Sequence, residues 1–269
     1  MQITQIHKYY LDTNAVQSLG SKLGSISSEC VYTSIWTQIE LVSAIKNENS
    51  FKRKRAALKH LQESGLYVDQ TLSAYKRDMA FGAIERTNYT FDDFSNIILP
   101  MVLQSRDYND LMERLDSHQL TEIFEKLKVL DGLGSDGNYY LERNTWPIVD
   151  FENKWKGDKN NLLYESICYH AERLKERYGI HKELSIMCYD HTIDYFMLIH
   201  YYYVEQKKHS HDKMARNDMN DLYHLLYLKN GCKLVTDDKG FQKYVNKMVE
   251  GLAIGTEQFL KEIYYNTDK

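Results

Sequence analysis

Six acidic side chains stand where they could converge on one site: Asp12, Glu40, Asp218, Asp221, Asp237 and Asp238. Asp12 ends one β-branched and aromatic run, and Asp237-Asp238 end another, so both stand where a strand gives way. Ligands of open α/β sheets bind outside the carboxyl ends of strands, so carboxylates distant in sequence can converge there. Glu40 lies about one and a half turns into its helix. Asp218 and Asp221, three apart, can share a helix face. Gathered carboxylates repel one another unless a counter-charge intervenes. Oxygen-only ligands suit Mg²⁺ or Mn²⁺. One or two such ions would clamp a phosphodiester, generate hydroxide from water and stabilise the leaving oxygen.

The elements needed to position these groups are legible at both ends of the chain. Gln2 to Leu11 reads as a strand, followed by the N-cap residues Asp12, Thr13 and Asn14 and a short helix from Ala15 to Leu19. Cys30 to Thr33 reads as a second strand, with Ser34 capping a helix from Ile35 to about Asn47. From Phe51 to about Ile180 the pattern is mostly helical, over Ala56–Leu66, Leu72–Ile84, Asp107–Leu130 and Leu162–Tyr178. Loops are expected at the Gly-Ser-Asp-Gly tract (134–137) and at Trp146–Gly157. An apolar helix over Ser185–Glu205, a loop at His209-Ser210-His211 and a helix over Asn217–Leu228 follow, the last stopped by Asn230-Gly231. Cys232–Thr236 reads as a strand, Phe241–Val249 as a helix, Leu252–Ile254 as a weak strand, and a helical tail closes the chain. Strands alternating with helices at both ends imply a parallel α/β sheet. The expected division is an α/β domain over 1–50 and 181–269, interrupted by a helical insertion over 51–180.

Composition narrows the class. Of 269 residues, 43% are hydrophobic and two are proline, which suits a packed, helix-rich chain rather than a disordered one. The four cysteines (30, 168, 188 and 232) have no CxxC or zinc-finger spacing and read as free thiols of a reducing compartment. The N-terminus lacks a basic region followed by an apolar run, and no segment has the length and apolarity of a membrane span, so a cytoplasmic chain without a membrane partner is expected. Net charge is −4 and the pI about 6.2. Any grip on nucleic acid must therefore come from a local patch. Lys52, Arg53, Lys54 and Arg55, with Lys59, form the densest basic group and are the candidate RNA-phosphate contacts; a solvated helix face is the plainer reading. Lys207, Lys208, Lys213 and Arg216 form a second group. The 22 tyrosines, Tyr201-Tyr202-Tyr203 among them, offer stacking surfaces but more commonly pack.

Taken in order, the acidic motifs resemble those of PIN-domain ribonucleases. Tyr10-Leu11-Asp12-Thr13-Asn14 looks like the family's opening motif, and Thr33 to Leu41, with Glu40, like its second. Asn217 to Leu222, followed by Gly231 to Phe241 with Thr236-Asp237-Asp238, resembles its closing block. The resemblance covers roughly 1–50 and 185–255, under half the chain, and departs from compact members in the long insertion. It implies a PIN-like fold and an endoribonuclease that uses Mg²⁺ or Mn²⁺ and leaves 5′-phosphate and 3′-hydroxyl ends. Asp12, Glu40, Asp221 and Asp238 take the four acidic positions, with Asp218 and Asp237 as alternative or additional ligands and Thr13, Asn14 and Thr236 in support. A toxin or defence effector fits this reading, with an antitoxin or other regulatory protein, or a second copy, as partners. Two alternatives stand beside it: an inactive PIN-like scaffold that binds RNA or protein, and a flap-type DNA nuclease. Arg55 and His60 match the R-x4-H spacing of HEPN ribonucleases, a pair that arises easily in a lysine- and arginine-rich helix. His209 and His211 lack an identifiable third metal ligand.

Overall fold

A computed structural model describes residues 8–84, 92–130, 159–210 and 216–265. The chain is α/β: five parallel strands form one sheet, flanked by helices. The contacts divide it into two compact units. The first holds 1–72, 89–131 and 231–269, and the second 73–88 and 132–230. These boundaries differ from the expected 1–50 and 181–269 against 51–180: residues 51–72 and 89–131 go with the sheet, and 181–230 do not.

In the first unit, β1 (Tyr9–Leu11) leads into α1 (Thr13–Leu19), and β2 (Val31–Ser34) into α2 (Ile35–Ser43). α3 (Glu48–Glu63) follows, then β3 (Tyr67–Asp69). α2 stops short of the expected Asn47 because Asn47 caps α3, accepting from the Ser50 amide while Ser50 bonds back to the Asn47 amide. β3 lies inside the stretch expected to be helical. It has only three residues, too few to show alternation, and pairs with β2 at the sheet edge, with Thr33 opposite Val68.

Five more α-helices and two strands follow in this unit among the described residues. α5 (Leu99–Gln104), α6 (Tyr108–Ser117) and α7 (Thr121–Leu130) precede β4 (Lys233–Val235), α12 (Lys239–Met248), β5 (Ala253–Ile254) and α13 (Thr256–Tyr265). The expected helix over Asp107–Leu130 breaks between α6 and α7, where Gln119 takes a positive φ of 57°. The strand order is β3-β2-β1-β4-β5. β1 is central, with Tyr9 opposite Val31 on one side and Leu11 opposite Val235 on the other. Tyr10, Leu11, Val31, Tyr32, Leu234 and Val235 are all fully buried. A continuous buried run of this kind belongs to a parallel sheet covered on both faces.

The second unit is helical: α4 (Ser73–Ala80), α8 (Lys159–Tyr178), α9 (Lys182–Cys188), α10 (Asp194–Ser210) and α11 (Arg216–His224). The single helix expected over Ser185–Glu205 is two. Asp190 accepts from the Thr192 amide and hydroxyl, and His191 takes a φ of 60°, which turns the chain between α9 and α10. α10 runs to Ser210, so His209-Ser210 are its last residues rather than a loop; His211 lies outside the described residues. Buried Asp78 joins α4 to α8 through Arg177 (3.3 Å) and the Tyr178 hydroxyl (2.5 Å). Residues 2–7 of the expected first strand, the 134–137 tract, the 146–157 loop and Lys213 lie outside the described residues. Among the described residues, no helix is long and apolar enough to cross a membrane.

Candidate functional site

Asp12 is extended at the end of β1 (φ −78°, ψ −177°), and its Oδ1 accepts from the Ala15 amide at 2.7 Å. It is thus the N-cap of α1, and its own amide donates to the Val235 carbonyl at 3.1 Å, tying the ends of β1 and β4. The residue is only 3% exposed. A carboxylate this buried costs several kcal/mol of lost hydration, to order of magnitude, unless charge or donors offset it. Thr13, the first residue of α1, donates its hydroxyl to Glu40 Oε2 on α2. That bond draws the second acidic residue to the start of α1.

A buried polar layer lies beside this pair. The Tyr10 and Ser34 hydroxyls are 2.7 Å apart, and Thr33 Oγ1 donates to the Leu11 carbonyl (2.8 Å) and to Thr37 Oγ1 (2.9 Å). Burial pushes the Tyr10 phenol well above its usual pKa. Hydrogen bonds with Ser34 and Thr37 act the other way, and the charges of Glu40 and Asp12 add to the rise. Tyr10 therefore remains protonated and feels both carboxylates. Ser34 sits at the N-cap of α2 but makes no side-chain cap, because its hydroxyl serves Tyr10. The pairings of Tyr10 with Ser34 and of Thr33 with Thr37 have no signal in local sequence.

At the end of β4 the two adjacent aspartates do different work. Thr236 is fully buried, and its Oγ1 accepts from the Asp238 amide at 3.1 Å. Asp238 caps α12, with Oδ1 accepting from the Phe241 amide at 2.8 Å. Asp237 turns to α13 instead: Oδ1 accepts from the Thr256 amide at 2.9 Å, and the Thr256 hydroxyl donates to both carboxylate oxygens. Burial tends to raise the Asp237 pKa. Hydrogen bonds from Ser18 and Thr256 outweigh that and hold its carboxyl below the usual range. Asp237→Ala is expected to cost about 1 kcal/mol, the typical value of a lost helix cap, read as a lower midpoint in urea. In a nuclease built on these carboxylates, cleavage by this variant stays within a few-fold of the parent; loss as severe as in Asp238→Asn would reverse the two roles.

Asp221 is half-buried on α11, and Asp218 lies on the same helix with its side chain outside the described residues. Both belong to the second unit, whereas Asp12, Glu40, Asp237 and Asp238 belong to the first. Asn14 is exposed on α1. Among the described residues, no group of three or more His, Cys, Asp or Glu side chains is placed to hold a metal ion.

The basic cluster is spread around α3. Lys52 pairs with Glu48 (3.0 Å), Lys54 donates to Gln17 (2.6 Å) and Arg55 donates to the Leu103 carbonyl (3.1 Å). Arg53 is exposed, and Lys59 lines a cavity. Of the R-x4-H pair, Arg55 is engaged with Leu103 and His60 lies 3.9 Å from Glu63.

No family model, curated protein or solved structure matches this chain. Its chemistry is therefore read from the site alone. Mg²⁺ is commonly held by one or two carboxylates, with waters and substrate phosphates filling its shell. The pair linked through Thr13 suits that requirement in donor type, since both groups offer only oxygen. Asp12 is almost wholly removed from water, where a cation's field is least screened.

Proposed function

We propose that this chain is a metal-dependent endoribonuclease of PIN-like fold, using Mg²⁺ or Mn²⁺ at the carboxyl edge of its sheet. The observation that carries the reading is the strand order. From β1 the chain runs outward through β2 to β3, then returns to the other side of β1 for β4 and β5. The order reverses between β1 and β4, and the crevice beyond such a point is where ligands of open parallel sheets bind. Asp12 directly follows one of those strands, and Asp237-Asp238 closely follow the other. The ordered resemblance of the acidic motifs to PIN-domain ribonucleases supports the same reading.

In this proposal Asp12 and Glu40 would hold the cation, and Asp238 would reach it only through water or the substrate, since no three of the described carboxylates form one ligand group. The ion, when bound, polarises the phosphodiester and lowers the pKa of water at the scissile bond. The protein's own part is orientation. The Ala15 amide fixes the Asp12 carboxylate, Thr13 fixes Glu40, and the Phe241 amide fixes Asp238. Groups held in place before substrate arrives need no reorganisation during reaction. Thr13→Val removes the donor to Glu40 at nearly constant volume and is expected to lower cleavage about 10–100-fold, the usual effect of losing a partner of a metal ligand. Thr13→Ser should restore most of that loss; equal defects in both variants would show that the hydroxyl is not what matters.

The test is cleavage of single-stranded RNA by the purified chain with Mg²⁺, Mn²⁺ or EDTA, with transfer RNA and flap DNA in parallel. Metal-dependent RNA cleavage giving 5′-phosphate ends is expected, lowered on the order of 10²–10³-fold in Asp12→Asn and Asp238→Asn. Undiminished cleavage in both variants, or preference for the flap, overturns the assignment. Calorimetric titration that detects neither metal favours the inactive scaffold.

A further inference from the structure

The first unit contains a cavity of about 510 Å³ between α2, α3, β3 and α5, outside the acidic site. That volume lies within the usual range for small-ligand sites. Leu58, Leu66, Val68, Leu99, Pro100 and Leu103 supply apolar wall. Gln38, Gln62, Gln104 and Lys59 also line it, and none of these four side chains makes a hydrogen bond or ion pair among the described residues. Glu63 lies at the same cavity, beside His60. Three uncommitted amides, a cation and a carboxylate beside apolar wall make a composite lining, apolar in one part and polar in the other.

Each part matches one portion of a nucleotide. Apolar side chains accept the faces of a base. A glutamine amide presents a donor and an acceptor together, which pair with adenine N7 and N6. Lysine supplies a point charge for phosphate, and an acidic side chain accepts from ribose hydroxyls. Gln38 and Glu40 are two residues apart on α2, hence about 200° around its axis. The cavity and the carboxylates therefore face opposite sides of that helix, so this is a second site and not the position of the scissile phosphate.

We propose that the cavity lined by Gln38, Gln62, Gln104, Lys59 and Glu63 binds an adenine nucleotide, either free or as one residue of an RNA chain. Lys59 takes the phosphate, the glutamines read the base edge, and Glu63 takes the ribose. The site needs no metal and stands apart from the nuclease reading.

The test uses the intact chain in EDTA, which silences metal-dependent cleavage and separates this site from the catalytic proposal. Equilibrium dialysis with 5′-AMP, 5′-UMP, adenosine and a short oligoadenylate supplies the arms. Saturable AMP binding is expected, at least tenfold weaker in Lys59→Ala and in a Gln62→Leu/Gln104→Leu variant. Adenosine should bind more weakly to the parent and show no Lys59 dependence. Both variants alter exposed or half-exposed positions, and an unchanged melting curve confirms that they fold. Oligoadenylate binding that depends on the same residues without AMP binding assigns the site to a chain-held nucleotide and also supports the proposal. Equal retention of UMP and AMP, no saturable binding of AMP or oligoadenylate, or binding indifferent to both variants overturns it.

Discussion

Asp12→Asn is expected to lower metal-dependent RNA cleavage on the order of 10²–10³-fold, as loss of one preorganised electrostatic group commonly does, while leaving the fold at least as stable as the parent in EDTA. The two effects separate because Asp12 has two jobs. As N-cap of α1 it needs only an oxygen to accept from the Ala15 amide, and asparagine caps as well as aspartate. As a proposed ligand it needs charge. Neutralising a carboxylate that is 3% exposed also removes the penalty of holding it out of water near Glu40. Asp12→Ala removes both jobs and should lose about 1 kcal/mol of stability in addition. Metal supplies a second readout. At a hundred times its dissociation constant, Mg²⁺ or Mn²⁺ should raise the parent's stability by about 2.7 kcal/mol and that of Asp12→Asn far less. Full activity in the asparagine variant, or equal metal stabilisation of both proteins, would sink the role assigned to Asp12. The same logic applies to Asp238, whose Oδ1 caps α12.

These two aspartates explain why part of the site is legible in sequence. An aspartate between an apolar strand and a helix is a local signal, carried by neighbouring residues, and it serves whether the group caps or binds. Glu40 gains meaning only through Thr13, 27 positions away. The Tyr10–Ser34 contact spans 24 positions, and nothing near either residue announces it. Asp237 and Asp238 look equivalent in the string Thr-Asp-Asp-Lys-Gly; Thr256 distinguishes them, by engaging both oxygens of one. The sheet shows the same division. β1, β2 and β4 are apolar strands ended by polar caps, whereas β3 is a three-residue edge strand identified by pairing rather than composition. The apolar stretch over Ser185–Glu205 reads as one helix because periodicity records burial. Its break depends on one aspartate side chain turning back onto Thr192.

Lowering the pH from 6.5 towards 4 is expected to weaken the second unit by about 3 kcal/mol through His200 alone. The residue sits on α10, stacked on Phe196 at 4.9 Å, with His170 of α8 at 5.6 Å. Part of His200 reaches solvent, but its Nδ1 is buried, as is His170 Nε2, and neither atom has a hydrogen-bond partner among the described residues. Burial and the positive charge of Arg77 on α4 hold the His200 pKa down to about 4. Burial, His200, Arg77 and Arg173 hold His170 well below its usual value too. Both rings are therefore neutral in the folded protein at pH 7, while in the unfolded chain they protonate near 6.5. Between those values the unfolded state binds more protons, so stability is full above 6.5 and is lost as pH falls through the window towards 4. Urea unfolding from pH 7.5 to 4.5, followed by a probe in α8 or α10, measures the slope. Replacing both histidines by leucine removes the two unsatisfied nitrogens together and should flatten that slope with little loss at pH 7.5. A slope unchanged in the double variant would assign the acid sensitivity to other groups. A flattened slope would assign the acid sensitivity to these two buried imidazoles, held neutral by burial and by the positive charge of Arg77.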